Sequence, residues 1–209
     1  MRMAVGLDSS VNLERVIKQI VQEGYHFAGR YYCQTDHPKL LTPSEARAIS
    51  AAGVYIVALW KNGYPSSSGY FTYHTGLEDA QMAYNYAKMI IGQPAATPIY
   101  FAVDYDAPLE DARGCISEYF RGIVEGIKAA TERHGVQYDI GIYGSASVCE
   151  TVMNQFTDIT YAWLSASPGW SDSREFEKWN LKQGPGTTVS GIDIETVVSN
   201  GNGGGFKIG

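Results

Sequence analysis

Cysteine is scarce here and badly spaced for either of its structural uses. Cys33, Cys115 and Cys149 are the only three in 209 residues, and their wide, unequal spacings exclude a disulfide framework and a zinc pattern. The four histidines, at positions 26, 37, 74 and 134, supply no local motif that would partner a catalytic thiolate. Charge is low as well. Asp, Glu, Lys and Arg make up 18% of the chain, below the usual quarter. Twenty-two acidic against 16 basic residues leave a formal net charge of −6, which argues against a nucleic-acid partner, since such binding rests on clustered Lys and Arg. No run approaches the roughly eighteen apolar residues of a membrane span; the best, Val54 to Trp60, is strand-sized. Met1-Arg2-Met3 leads straight into a patterned strand, so no signal peptide is expected in this chain.

What is present is aromatic, glycine-rich and periodic. Hydrophobic residues make up 44%, with 15 Tyr and 23 Gly. Strand and helix patterns alternate: strands at Val5–Asp8, Phe27–Tyr32, Val54–Trp60, Pro98–Val103, Tyr138–Tyr143 and Tyr161–Leu164, with helices at Asn12–Glu23, from Pro43 to near Gly53, Leu77–Ile91, Pro108–His134 and Ala146–Asn154. Ser10 or Asn12 would cap the first helix. Thr42-Pro-Ser-Glu45 reads as a capping box with Pro at the first helical position. A long Gly/Ser/Tyr segment, Asn62 to Thr75, stands where a strand-to-helix loop belongs, and loops of that length are usually functional. Later the rhythm changes. Only strands near Lys178–Gln183 and Ser190–Ile194 are expected, followed by a flexible Gly-rich tail over 200–209.

Repeated βα units specify a parallel sheet. Five such units and about three helix-poor strands make eight, so the expected fold is α/β, a TIM-like barrel formed by residues 1–199 as one domain. An open doubly wound sheet is the alternative. It lacks its Gly-rich phosphate loop, because Asp8-Ser-Ser-Val follows the first strand.

A parallel barrel carries its active site at the C-terminal strand ends. Those ends hold Asp8; Arg30 and Tyr32; Trp60 and Lys61; Asp104 and Asp106; Tyr143; Trp163; Trp179 and Gln183; and Asp193 and Glu195. Alternation along an extended strand turns i and i+2 to one side. Asp104 and Asp106 are therefore expected to present paired carboxyls, one holding a proton at neutral pH, as glycoside hydrolysis requires. Each residue also has a plain structural reading. Asp8 or Asp106 would serve as a helix cap, Arg30 as a partner for buried acids, and Trp60, Trp163 and Trp179 as core rather than sugar platforms.

Gly6-Leu-Asp8, Tyr100-Phe-Ala-Val-Asp-Tyr-Asp106, Gly141-Ile-Tyr-Gly-Ser145, Trp179-Asn-Leu-Lys-Gln183 and Gly191-Ile-Asp193 occur in the order found in family-25 glycoside hydrolases, the Chalaropsis-type lysozymes. Over nearly its whole length the chain resembles the glycoside-hydrolase-like domain of mycobacterial secreted proteins, with Thr42-Pro-Ser-Glu-Ala46, Leu59-Trp-Lys-Asn62 and Ala162-Trp-Leu-Ser-Ala166 as shared blocks. The resemblance implies Asp106 as proton donor, Asp104 as the residue orienting a substrate acetamido group, and Asp8 and Asp193 as carboxylates that tune the acid and hold sugar hydroxyls. It implies no cofactor, a monomer, and peptidoglycan or a related amino-sugar polysaccharide as the partner. That substrate is met at the cell wall or outside the cell, as a phage lysin, a secretion-system effector or a domain of a larger exported protein. The lysozymes carry Glu where Asp106 stands, one methylene longer. That departure keeps open a glycan-binding module without catalysis, and a divalent-metal hydrolase using Asp8, Asp104, Asp106 and Glu195 is a third reading.

Overall fold

Eight strands close in sequence order into a barrel in the computed structural model, which describes residues 3–34, 37–165 and 176–209. The strands are β1 (Ala4–Asp8), β2 (Phe27–Tyr32), β3 (Tyr55–Trp60), β4 (Pro98–Ala102), β5 (Asp139–Gly144), β6 (Ile159–Leu164), β7 (Leu181–Val189) and β8 (Ile192–Ser199). The helices are α1 (Ile17–Gln22), α2 (Pro43–Ala51), α3 (Tyr73–Asn85), α4 (Leu109–Asp111), α5 (Ser117–His134) and α6 (Ala146–Gln155). β1 to β7 pair in parallel, whereas β8 runs antiparallel to both β7 and β1. An all-parallel barrel is therefore not what closes. Ser190 and Gly191, with φ of 49° and 80°, form the positive-φ turn that joins antiparallel neighbours in a hairpin. Both late strands run longer than their short apolar patterns suggest, and Pro185 is accommodated beside a register shift between Gln183 and Gly186.

Period-two alternation divides each strand between two cores. Phe27, Tyr31, Val57, Leu59, Tyr100, Tyr143, Trp163, Leu181 and Val197 fill the barrel. Ala28, Tyr32, Ile56, Trp60, Phe101 and Ile142 face the helical layer. Two helices depart from their sequence patterns. α1 begins at Ile17, without a side-chain cap; in the turn before it the Leu13 N–H donates to the distant Glu45 Oε1 at 2.9 Å, and the Glu14 N–H to Asn12 Oδ1 at 3.0 Å. At α2, Thr42 Oγ1 accepts from the Glu45 N–H at 3.2 Å. The Glu45 carboxylate, however, turns to Arg30 instead of returning to the cap.

The C-terminal residues lie against the barrel, where a flexible tail is expected. β3 pairs with β4 only from Ala58 onward. Below that point Phe206, which is buried, takes the place of a strand, exchanging hydrogen bonds of 2.7 and 2.8 Å with Ile56. Tyr100 Oη donates to the Gly203 carbonyl at 3.0 Å, and the Ile208 N–H to Ser50 Oγ at 3.0 Å. Gly204 has φ of 70°, and a Cβ there would overlap the Pro98 ring. Glycine is thus what lets the segment close the N-terminal end of the barrel.

Candidate active site

The C-terminal strand ends surround a cavity of about 640 Å³ lined by Asp8, Ser9, Tyr31, Lys61, Thr188 and Glu195, among others. Asp8 ends β1 and Glu195 lies on β8. The antiparallel register makes them direct partners, Asp8 opposite Glu195, so two carboxyl side chains share one face of the ladder. Asp8 is 3% exposed. Tyr31 Oη donates to its Oδ2 at 2.9 Å, and Oδ1 is buried with no hydrogen-bond partner. Burial raises the Asp8 pKa from 3.8 to about 7; Glu195 adds to the rise, while Tyr31, Arg30 and Lys61 oppose it. Glu195 is also raised, first by desolvation and then by Asp104, against Lys61 and Gln183. A buried acid beside a second carboxyl keeps a proton at neutral pH.

Around this pair the side chains interlock. Tyr143 Oη donates to Gln183 Oε1 at 3.0 Å, and Gln183 Nε2 donates to Glu195 Oε2. Lys61 Nζ pairs with Asp104 Oδ2 at 2.6 Å. Ser9 Oγ donates to the Asp193 carbonyl at 3.1 Å, and Asp193 is exposed on the wall formed by the hairpin, with Thr187 and Thr188. Ser9, Thr187 and Thr188 are residues that sequence reasoning omits, and Tyr31, read as part of the end of the second strand, is passed over there for Arg30 and Tyr32. Tyr31 alone had a signal, because it shares strand parity with Phe27 and Gly29.

Four expected site residues lie elsewhere, and a fifth, Asp106, stands beyond the end of its strand. β4 ends at Ala102, so strand alternation does not reach Asp106; that residue is exposed and is not among those lining the cavity. Arg30 has the opposite strand parity from Tyr31 and is fully buried. It makes a fork with Glu45, Nε to Oε1 at 2.7 Å and Nη2 to Oε2 at 3.1 Å, and also donates to the Ser9 and Lys39 carbonyls. Tyr32 faces the helices too, donating to Gln93 Oε1 at 2.8 Å. Trp60 is buried among the same outward side chains. Trp179 precedes β7, at the N-terminal end of the barrel, where its carbonyl accepts from Asn200 Nδ2 at 2.6 Å. Trp163 does point into the barrel. It is wholly buried between Tyr100 and Tyr143, each 5.7 Å away ring to ring, and serves as packing below the cavity rather than as an open platform.

Among the described residues, no group of three or more His, Cys, Asp or Glu is arranged to hold a metal ion, so the four-carboxylate metal site does not assemble. Among them also, no helix is long and apolar enough to cross a membrane. The thiol of Cys149 is pushed up to about 12 by burial, which removes it as a nucleophile.

Residues 18–197 match the model of a family described as Rv2525c-like, glycoside hydrolase-like domain. A Bacillus subtilis protein named FadG is 34% identical over 140 residues, covering 65% of this chain and 23% of its own length, so this chain matches about a quarter of that relative. The Tat-secreted protein Rv2525c of Mycobacterium tuberculosis, solved with L-tartrate, superposes with a TM-score of 0.78 at 20% identity, covering 97% of this chain and 98% of that one. A family 25 glycosyl hydrolase of Bacillus anthracis gives 0.61 at 13% identity, over 95% and 89%. The autolysin LytC of Streptococcus pneumoniae, solved with a synthetic peptidoglycan ligand, gives 0.63 at 14% identity, over 94% and 46%. At these identities the superpositions establish a shared fold.

Proposed function

The chain belongs to the Rv2525c-like, glycoside hydrolase-like domain family, and from that premise we propose that it cleaves the β-1,4 link of peptidoglycan glycan strands by carboxylate acid catalysis. The observation that carries this reading is the Asp8–Glu195 pair at the barrel mouth. Asp8, with its pKa near 7, is the proton-holding acid in place of the more exposed Asp106. Its proton passes to the glycosidic oxygen as the bond from that oxygen to C1 breaks. Glu195, held by Gln183, and Asp104, held by Lys61, face the positive charge that develops at C1. Asp104 also orients the substrate acetamido group. A water then adds to C1, and the proton it sheds returns to Asp8. Asp193 and the hairpin threonines hold sugar hydroxyls. The substrate lies at the cell wall or outside the cell, reached as a phage lysin, a secretion-system effector or a domain of a larger exported protein; the Tat-secreted relative supports the exported routes.

Incubation with purified sacculi tests the reading. Native protein releases muropeptides with new reducing ends, and Asp106→Asn does so at a similar rate. Absence of new reducing ends with the native protein removes the hydrolase.

One departure favours a second reading. Asp106 stands where the lysozymes carry Glu, and a donor one methylene short is displaced enough to lose most of its rate. Were Asp106 the required donor, the domain would bind glycan without cutting it. Saturable binding to sacculi with no product identifies that case.

A further inference from the structure

The three tryptophans that sequence suggests as sugar platforms are buried or lie at the far end of the barrel, so among the described residues no indole stands at the mouth to stack on. Tyr64 is the most exposed large hydrophobic side chain among the described residues, at 86%. A solitary exposed aromatic needs no special explanation, but the backbone that carries this one is fastened on both sides. Asn62, nearly buried, accepts from the Gln34 N–H at 3.1 Å. The Pro65 carbonyl accepts the Asp104 N–H at 2.8 Å, and the Ser66 N–H closes on the Tyr64 carbonyl at 2.7 Å. Farther along the loop, Tyr70 Oη donates to the buried Asp79 at 2.7 Å. Gly63, with φ of 56°, provides the turn that brings the chain from Lys61 on the cavity wall to Pro65, whose carbonyl holds the backbone of Asp104 just past β4.

From this arrangement we infer that Tyr64 is the aromatic platform of a glycan subsite flanking the mouth, taking the apolar face of a pyranose ring next to the Lys61–Asp104 pair. A ring with only two side-chain torsions on a fixed backbone loses little entropy on contact. Its electron-rich face suits the C–H groups of a sugar, whose hydroxyls stay in water. The inference rests on the glycan reading of the site and adds a subsite outside the cavity, fitted to oligomers rather than single sugars.

The test is calorimetric titration with the β-1,4-linked hexamer of N-acetylglucosamine, in an Asp8→Asn background that stops turnover. Co-sedimentation of the otherwise native chain with purified sacculi accompanies it. Tyr64→Ala is expected to weaken hexamer binding about 3- to 10-fold, the range for an aromatic contact, and Tyr64→Trp to hold or tighten it. Equal binding by Tyr64→Ala and its parent overturns the platform alone. Equal weakening by Tyr64→Ala and Tyr64→Trp also overturns it, since a larger ring should stack at least as well. No binding of hexamer or sacculi by either parent overturns the glycan reading, and the platform with it.

Discussion

Asp8 and Glu195 face each other across the ladder between the first and last strands, so the two ends of the chain build one acidic pair. Burial holds Asp8 near a pKa of 7 against 3.8 in the open chain, and a proton bound more tightly when folded makes stability fall as pH rises through that interval. Below about pH 4 both states are protonated and there is no penalty. Above about pH 7 the penalty is complete, on the order of 4 kcal/mol for a fully buried group. Asp8→Asn should therefore raise the unfolding free energy at pH 8 and change it little at pH 4. Urea denaturation at the two pH values measures this, and an equal effect at both removes the buried acid.

Tyr31 donates its hydroxyl to Asp8 at 2.9 Å, and that bond lowers the carboxyl's pKa against the burial that raises it. Tyr31→Phe should push the Asp8 pKa upward by about 1–2 units, as expected for a hydrogen bond to a charged group. The alkaline limb of a pH–rate profile then moves to higher pH. A merely structural Tyr31 would lower activity without moving that limb.

Arg30 and Glu45 are both fully buried, and the Arg30 fork also reaches the Ser9 carbonyl just beyond β1. Removing one partner of such a pair costs about 3–5 kcal/mol, because the other charge is left in a dry interior. Glu45→Ala should lower stability by that amount in urea denaturation. Arg30→Lys should lower it less, losing the bidentate fork while keeping the charge.

Gly204 sits at φ of 70° against Pro98. Gly204→Ala should cost about 1–3 kcal/mol from overpacking, with about 1–2 more from the left-handed backbone. Thermal unfolding reads this directly. Deleting residues 200–209 should lower the melting temperature further by exposing Ile56 and the end of the barrel, and an unchanged transition contradicts the docked strap.

Eight strands and the mouth as the meeting place of acids were legible because apolar periodicity and strand-end polarity are local signals. Strand parity was not. Arg30 and Tyr32 look like polar strand-end residues, yet their parity turns them to the helices, where Arg30 meets the distant Glu45 and Tyr32 meets Gln93. Asp104 and Asp106 looked paired because they are neighbours in sequence, but β4 ends at Ala102 and its alternation ends there. The carboxyl pair that the ladder itself builds joins residues 8 and 195, and its register depends on the antiparallel return of β8, which Gly-Ile-Asp193 alone does not announce. The tail read as flexible from its glycines; the same glycines allow its close approach to Pro98, Leu181 and Tyr55.

The most direct test of the Asp8–Glu195 pair as the chemical centre is the rate of reducing-end release from purified sacculi, followed from pH 5 to pH 9 for the native chain and for Asp8→Asn. The native rate should fall as pH rises through about 7, and Asp8→Asn should be slower by about 100-fold or more wherever the native chain is active. A native rate that holds level through pH 7, or an Asp8→Asn protein that keeps pace with it, contradicts the account.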